Sequence, residues 1–458
     1  MWIGGFLVAL AVWTAVLLTT SVTSLLHIGV LVDDELDLSI ISLPLLVFNL
    51  VYIASTIFLL GTFIAFYDST RKHQRKMKVK MLTQINGDGN SGPLRDLVSV
   101  IIPARNEEAV IRKSLLRCLR QTYRNIEVIV VCHNCSDRTF EEAQAVQDRR
   151  VRAFSLATAK AGKGIALNFG VKMSRGRYIL VLDADGYLSE NFIEDALPMF
   201  AERNCAAVQG RYVPSNRNYN FVTRMLALEG DLWSAPFNTC RYVLDRRVAL
   251  GGTGYIIDKD ALLEVGGFEN HLVDDYELTF RLLRSKFRIA YAPLSVNYDE
   301  KPPSLDLMLR QRARWVKGFL DLMRHRVAEP TDILGNLYWV APLATFASLG
   351  LLAMAGFSAI HNVFYGYYPY KYAYISFEVW LLLNVATFLL SAAALVKQYG
   401  LAGLRHAAWL PLYMPFSVYY LVVSLRAFTV KSWASTKTAH GFTDVDDTPP
   451  VDEQPLAE

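Results

Sequence analysis

The chain has 458 residues, room for two or three domains. Its 52% hydrophobic content is too high for a wholly soluble protein, and its 20% charged content too high for one lying entirely in a membrane, so the sequence mixes the two. A net charge of +4 gives no reason to expect nucleic acid as a partner, and five scattered cysteines do not make a disulfide framework. Cys132 and Cys135 form a CxxC, yet no second Cys/His pair stands at zinc-ligand spacing, so reduced thiols in a cytosolic domain fit better.

Residues 1–32 carry no Asp, Glu, Lys or Arg, and residues 38–67 repeat the pattern. Each exceeds the roughly 20 apolar residues needed to cross a bilayer. The first lacks a basic leader and is too long an apolar run for a signal peptide, so both read as retained spans within 1–70. The link between them holds Asp33, Asp34, Glu35 and Asp37. Arg71 to Lys80 then places six basic residues in ten, which by the positive-inside rule is the cytoplasmic side. Its neighbours are solvent and lipid headgroups, and 71–96 as a whole reads as a basic cytosolic linker ending in a Gly/Asn-rich stretch.

Residues 97–303 have the texture of a soluble α/β domain. Val98 to Ile102 reads as a strand, Pro103 to Glu108 as a turn, and Ile111, Leu115, Leu116 and Leu119 as one face of a helix. Ile126 to Val131 is a second strand, a helix surrounds Leu167, and Tyr178-Ile-Leu-Val-Leu-Asp-Ala-Asp-Gly186 is a third strand that stops at two carboxylates. Strands alternating with helices imply parallel pairing, which brings the loops at Arg105, Asp137 and Asp183 to one edge. In open α/β sheets, ligands bind at the carboxyl ends of the strands. An isolated DxD is more often an acidic turn than a site, but at such an edge Asp183 and Asp185 suit a hard divalent cation shared with phosphates. Gly251-Gly-Thr-Gly254 permits close approach of backbone to ligand. Asp274 and Asp275 open a helix, where carboxylates are favoured by the macrodipole; a positioned carboxylate there is equally suited to serve as a general base.

Residues 304–330 read as an amphipathic basic helix, with Leu305, Met308, Leu309, Val316, Phe319 and Leu320 on its apolar stripe and Gln311-Arg-Ala-Arg-Trp315 within it. It suits a membrane interface, and docking on the soluble domain would look the same from sequence. Within 331–430, three more apolar segments follow, at 336–365, 375–396 and 407–428. Five spans would put the C-terminus outside, whereas Arg426, Lys431 and Lys437 argue for inside, so the parity stays open, with one segment re-entrant or interfacial as an alternative. The acidic tail, within 431–458, reads as disordered.

Taken in order, Ile101-Ile-Pro-Ala-Arg-Asn-Glu107, Gly162-Lys-Gly-Ile-Ala-Leu-Asn168, Asp183-Ala-Asp185, Gly266-Gly-Phe268, Asp274-Asp275 and Gln311-Arg-Ala-Arg-Trp315 resemble the membrane-embedded inverting glycosyltransferases of family 2 that include cellulose, hyaluronan and chitin synthases. The resemblance covers roughly 98–318. It implies an α/β, GT-A-type nucleotide-sugar-binding domain inserted between transmembrane helices, with UDP-sugars the usual donors and Mg2+ or Mn2+ as cofactor. It further implies that Ala104, Arg105, Glu107, His133, Asp137, Lys163, Asp183 and Arg314 bind the donor and that Asp185, with Asp183, holds the metal. Asp275 would be the catalytic base, and Gln311, Trp315 and Asp274 would serve the acceptor. Two departures stand out. His133 occupies a loop position where relatives often carry an acidic uracil contact, so it either bonds the base or is merely solvent-facing. Asp274 replaces a common Glu.

The resemblance implies a multi-pass integral protein of the plasma membrane with its catalytic domain in the cytoplasm. Its partners would be a nucleotide-sugar donor, a glycan or lipid acceptor and membrane lipids, with no nucleic acid. The leading expectation is elongation of a β-linked polysaccharide passed through the protein's own spans. Addition of a single sugar to a lipid is the alternative, and a transporter or scaffold with a decayed transferase domain is a third reading from outside enzymology.

Overall fold

The computed structural model describes residues 39–88, 96–245, 247–324, 364, 377–417, 419–427 and 429–430; the expected spans at 1–32 and 336–365 and the tail from 431 lie outside the described residues. Helix α1 (Ser39–Asp88) enters the domain, and β1 (Val98–Ala104), α2 (Ile111–Cys118), β2 (Ile126–His133), α3 (Thr139–Gln144), β3 (Val151–Leu156), α4 (Lys163–Met173) and β4 (Tyr178–Val181) alternate after it. Next come β5 (Tyr187–Leu188), α5 (Phe192–Ala196) and a 3-10 turn at Leu197–Ala201. Then follow β6 (Cys205–Pro214), α6 (Phe221–Asp245), β7 (Tyr255–Asp258), α7 (Lys259–Glu264), α8 (Asp274–Arg284) and β8 (Arg288–Asp299). Last are α9 (Leu305–Arg324), α10 (Phe377–Tyr399), α11 (Ala402–Ala407), α12 (Leu410–Phe416) and α13 (Tyr419–Ala427).

The eight strands form one sheet in the order β3-β2-β1-β4-β7-β6-β8-β5. The first four are parallel, as the alternation of strands and helices requires, so β1, β2 and β4 end on one edge. Strand β7 runs antiparallel to both β4 and β6 and joins the two halves. Strands β2 and β4 are buried along their whole length, which is why they read as continuous apolar runs. Glu127 inside β2 is paired from both neighbouring strands: Ser99 Oγ of β1 donates to its Oε1 at 2.6 Å, and Arg152 of β3 bonds its Oε2 at 2.7 Å. Edge strand β3 is only half-buried, and its mixed sequence carries no clear strand pattern.

The 71–96 stretch expected as a linker is helical to Asp88, continuing α1 without a break. Its basic face is not only solvated. Gln74 is buried, donating from Nε2 to the Asp195 carbonyl at 2.9 Å and accepting from the Leu294 N–H at 2.9 Å, and Lys78 pairs with Asp195 at 2.7 Å. Side-chain hydrogen bonds to α5 and β8 thus turn a predicted tether into a strut. Further up, Leu60, Phe63 and Tyr67 of α1 pack with Met225, Leu228 and Leu232 of α6 and with Ala394, Leu395 and Tyr399 of α10.

Among the described residues, Ile53–Thr83 and Leu382–Tyr399 are long and apolar enough to cross a membrane. The 407–428 segment, expected as a span, is instead a succession of short helices, of 7 residues in α12 and 9 in α13. Both are far below the roughly 20 residues a crossing needs. Helix α13 lies along α9, with Tyr419 and Val423 packed on Leu226 and Met308 and with Arg426 bonded to Asp306 at 3.1 Å. Helix α9 itself docks on the domain, burying Met308, Ala313, Phe319 and Leu322. At Gly318 the fit is close: a Cβ there would stand 2.9 Å from Val273, so glycine lets α9 press against the segment leading into α8.

Candidate active site

A cavity of about 370 Å³ opens at the carboxyl ends of β1, β2 and β4, closed by the 251–253 loop, the start of α8, and faces of α6 and α9. Of the residues singled out in the sequence, Ala104, Arg105, Glu107, His133, Lys163, Asp183, Asp185, Asp274, Asp275, Gln311, Arg314 and Trp315 line it. Asp137 does not. Its carboxylate accepts from the N–H groups of Glu108 and Thr139, each at 3.1 Å, and from the Thr139 hydroxyl at 2.5 Å. Burial opposes the charge, but these hydrogen bonds outweigh it and hold the carboxyl below its usual range. Asp137 therefore ties the loops after β1 and β2 together from outside the residues that line the cavity.

At the end of β1, Arg105 lines the cavity with its Nη1 buried and lacking a hydrogen-bond partner, an arrangement suited to an incoming anion. His133 ends β2 and is 4% exposed, which rules out the solvent-facing reading. Its Nε2 stands 2.6 Å from Thr158 Oγ1; the Thr158 hydroxyl donates to the Lys160 carbonyl, so the ring donates to Thr158. Burial pulls its pKa below the ordinary histidine value, assisted by Arg105 and opposed by a bond to the Gly162 backbone, so the ring is neutral at neutral pH.

Lys163 opens α4, and its Nζ bonds Asp183 Oδ1 at 2.6 Å and the Gly252 carbonyl at 2.8 Å. Burial lowers its pKa, but Asp183, Asp274 and Asp275 together raise it above the usual value, so it is a fixed cation. The Asp183 N–H donates to Thr253 Oγ1 at 2.9 Å, locking the DxD turn to the glycine loop. Among the described residues no group of three or more His, Cys, Asp or Glu side chains is disposed to hold a metal ion. A pair of carboxylates nonetheless fits Mg2+ or Mn2+, which commonly take one or two carboxylates and complete their shell with substrate phosphate oxygens. With Asp183 already engaged by Lys163, Asp185 is the stronger candidate ligand of the two.

Asp275 sits in the first turn of α8, its Oδ1 accepting from the Tyr276 N–H at 2.8 Å. Its other oxygen faces Gly252, whose φ of +83° lies in the left-handed region and where a Cβ would stand 3.3 Å from Asp275 Oδ2. Burial first and the neighbouring Asp274 second push the Asp275 pKa up to about 7; Lys163 and Arg314 pull against them. A carboxylate titrating near neutrality, held open to a cavity, has the properties of a general base.

Helix α9 supplies the opposite wall. Arg314 Nη1 donates to the Leu272 carbonyl at 2.8 Å, aiming the guanidinium at the turn that carries Asp274 and Asp275. The guanidinium of Arg312 covers one face of the Trp315 indole at 4.1 Å from the ring centroid and pairs with the buried Glu229 at 2.9 Å. Glu229 belongs to α6, and so do Gly230, Trp233, Ser234, Phe237 and Asn238, all cavity residues the sequence reading did not single out. Tyr212, also unanticipated, places its hydroxyl 2.5 Å from the Gly251 carbonyl and 2.7 Å from that of Thr253, bracing the glycine loop. The signal for α6 was present in Met225, Leu228, Leu232 and Ala235, apolar at helical spacing, with carboxylates Glu229 and Asp231 set among them.

Residues 95–318 match the family model described as glycosyltransferase like family 2. A probable glycosyltransferase, YdaM of Bacillus subtilis, is 29% identical over 48% of this chain and 54% of its own length. The beta-monoglucosyldiacylglycerol synthase of Trichormus variabilis is 31% identical over 48% of each chain. The poly-beta-1,6-N-acetyl-D-glucosamine synthase of Staphylococcus aureus is 24% identical over 48% of this chain and 54% of its own. The chain thus spans about half the length of the curated relatives it matches. Among solved structures, the mannosyltransferase PcManGT of Pyrobaculum calidifontis, in complex with GDP-Man and Mn2+, superposes with a TM-score of 0.49 at 18% identity, over 81% of this chain and 99% of that one.

Proposed function

We propose, on the premise that residues 95–318 are a glycosyltransferase family 2 domain, that this chain transfers a sugar with inversion from a nucleotide diphosphate sugar to the hydroxyl of a lipid acceptor held at a membrane surface. The observation carrying the reading is the convergence of Arg105, Lys163, Asp183, Asp185, Asp275 and Arg314 on one cavity. Cations beside a carboxylate pair suit a diphosphate, and Asp275, next to Lys163 at the Gly252 loop, has the pKa of a base.

In this reading Arg105, Lys163 and Arg314 bind and orient the donor diphosphate, Arg314 through its planar fork. Asp185, with Asp183, would hold Mg2+ or Mn2+, whose chemistry there is neutralisation of the charge that builds on the leaving diphosphate. Asp275 takes the proton of the acceptor hydroxyl as its oxygen attacks the anomeric carbon from the face opposite the diphosphate. One C–O bond forms, the bond to the diphosphate oxygen breaks, and a single displacement inverts the centre. The acceptor comes from the membrane side: Trp233 and Phe237 of the cavity wall pack with Phe58 and Leu59, inside the membrane-length apolar stretch of α1. That geometry suits a lipid, the acceptor class named for the Trichormus relative. The catalytic domain then faces the cytoplasm, with α1 and α10 in the membrane.

Elongation of a β-linked polysaccharide is the second reading, favoured by the Gln311 to Trp315 segment lining the same cavity. Purified protein in phosphatidylcholine vesicles with diacylglycerol, given a panel of UDP- and GDP-sugars with Mn2+, separates the two by product mass. A single added hexose on the lipid supports the first; a ladder of hexoses replaces it with the second. Nucleotide release that is absent with every donor refutes both.

A further inference from the structure

We infer that α6 is the acceptor-recognition element, reading a hydroxylated headgroup through Asn238 and Ser234 and taking the adjoining apolar chain on Trp233 and Phe237. This deepens the proposed transferase reading by assigning its acceptor subsite. The helix has two faces. Met225, Leu228, Leu232 and Ala235 point at α1 and α10, while Glu229, Gly230, Trp233, Ser234, Phe237 and Asn238 line the cavity. At 100° per residue the second set covers one continuous half of the helix and the first set an arc of about 80° within the other half.

The cavity face is graded. Glu229 is spoken for by its ion pair with Arg312, which ties α6 to the Trp315 region of α9. Trp233 and Phe237 join the apolar cluster with Phe58 and Leu59. Asn238 is different: it is 5% exposed, lines the cavity, and its Oδ1 has no hydrogen-bond partner. A buried amide oxygen left unsatisfied is costly, and a ligand hydroxyl removes that cost on binding. A ligand matching this face carries a hydroxyl donor for Asn238 and an apolar segment for the aromatic pair, the chemistry of a glycosyl or glyceryl headgroup on an acyl or alkyl chain.

The test is photolabelling of the full chain in phosphatidylcholine vesicles with an alkyl β-glucoside bearing a diazirine in its chain, the labelled residues being read by mass spectrometry. Label within 221–245 is expected, displaced by unlabelled octyl glucoside below its micellar concentration and not by free glucose. Asn238→Leu should weaken the displacement about tenfold, the loss of one hydrogen bond, and Asn238→Gln should restore part of it, at unchanged melting temperature. Label confined to other elements, or equal displacement in Asn238→Leu, overturns the assignment. UDP and GDP binding with Mn2+ is measured on the same preparations: retained nucleotide binding with no α6 label sinks this inference alone, and loss of both sinks the transferase reading with it.

Discussion

Replacing Asp275 with Asn tests the base and the physics that tunes it in one variant. The wild-type carboxyl is pushed to about 7, against about 3.9 in an unfolded chain, by burial and by Asp274. Because the folded pKa is the higher one, the folded protein binds this proton more tightly, and stability is lost as pH rises from the unfolded value through about 7. Integrated between pH 5 and pH 8, that loss is about 2–3 kcal/mol, and Asp275→Asn should escape it. The variant's thermal midpoint should therefore gain on the wild type as pH rises, read by differential scanning fluorimetry in detergent. Turnover should fall by ~10²–10⁴-fold, the usual worth of a positioned base. In the wild type, kcat/KM should rise with pH through about 7 and level off above it. An acid limb below pH 5, or a stability difference between the two proteins that stays flat from pH 5 to 8, would refute the assignment.

Asp185→Ala should abolish turnover, and EDTA should do the same to the wild type with recovery on adding Mn2+; full wild-type rates in EDTA would contradict a metal role for the DxD pair. Gly252→Ala forces an alanine into φ +83° with its Cβ 3.3 Å from Asp275 Oδ2; it should cost about 1 kcal/mol in stability and disproportionately reduce kcat, and an unchanged kcat would show that Asp275 has room to move. Asp231→Ala strands Arg217, its partner at 2.7 Å with both side chains 1% exposed, and should destabilise the fold by about 3–5 kcal/mol in chemical denaturation; a neutral outcome would mean the pair is reached by water.

The cavity edge that carries Arg105 and Asp183 was legible in the sequence because it is built from the ends of buried parallel strands. A strand covered on both faces must be apolar throughout, so charged residues at its end stand out, as Arg105 and Asp183 do. The Asp274–Asp275 pair was legible as carboxylates opening a helix beside a glycine-rich turn, whereas Lys163 stood out only through the family resemblance of its Gly-Lys segment. The periodicity of α6 marks a helix but not a cavity wall, because apart from Glu229 its cavity residues are aromatic, small or amide and share the composition of any packed helix. Asp137, a carboxylate at the expected loop, is engaged in local hydrogen bonds by the turn it occupies and stands outside the cavity lining. For the 407–428 segment, apolar composition predicts burial without saying in what. Lying on α9 satisfies it as well as lipid would. Likewise the basic run of α1 pointed to water, yet Gln74 and Lys78, one turn apart on one face of the helix, bond α5 and β8.

What joins the membrane-length helices to the chemistry is a polar plug rather than a greasy seam. Arg217 and Asp231 pair at the base of α6, and the Tyr399 hydroxyl at the end of α10 donates to Asp231 at 2.5 Å while accepting from Arg217 at 3.0 Å. Arg211 of β6 reaches the Tyr67 hydroxyl of α1 at 3.0 Å and Gln398 of α10 at 3.3 Å, and Lys397 pairs with Asp68. Apolar contact between helices tolerates rotation and sliding, whereas hydrogen bonds between buried groups are satisfied in one register, and breaking any of them leaves an expensive orphan. The sheet strand β6, the α6 helix and the ends of α1 and α10 are therefore fixed to one another at side-chain precision. Since α6 presents its other face to the cavity, the position of Trp233, Phe237 and Asn238 relative to the apolar part of α1 is fixed as well. In the proposed reading a base at Asp275 acts only on a hydroxyl delivered to one place, and this plug would hold α6 and α1 in the one register that an acceptor arriving along α1 requires.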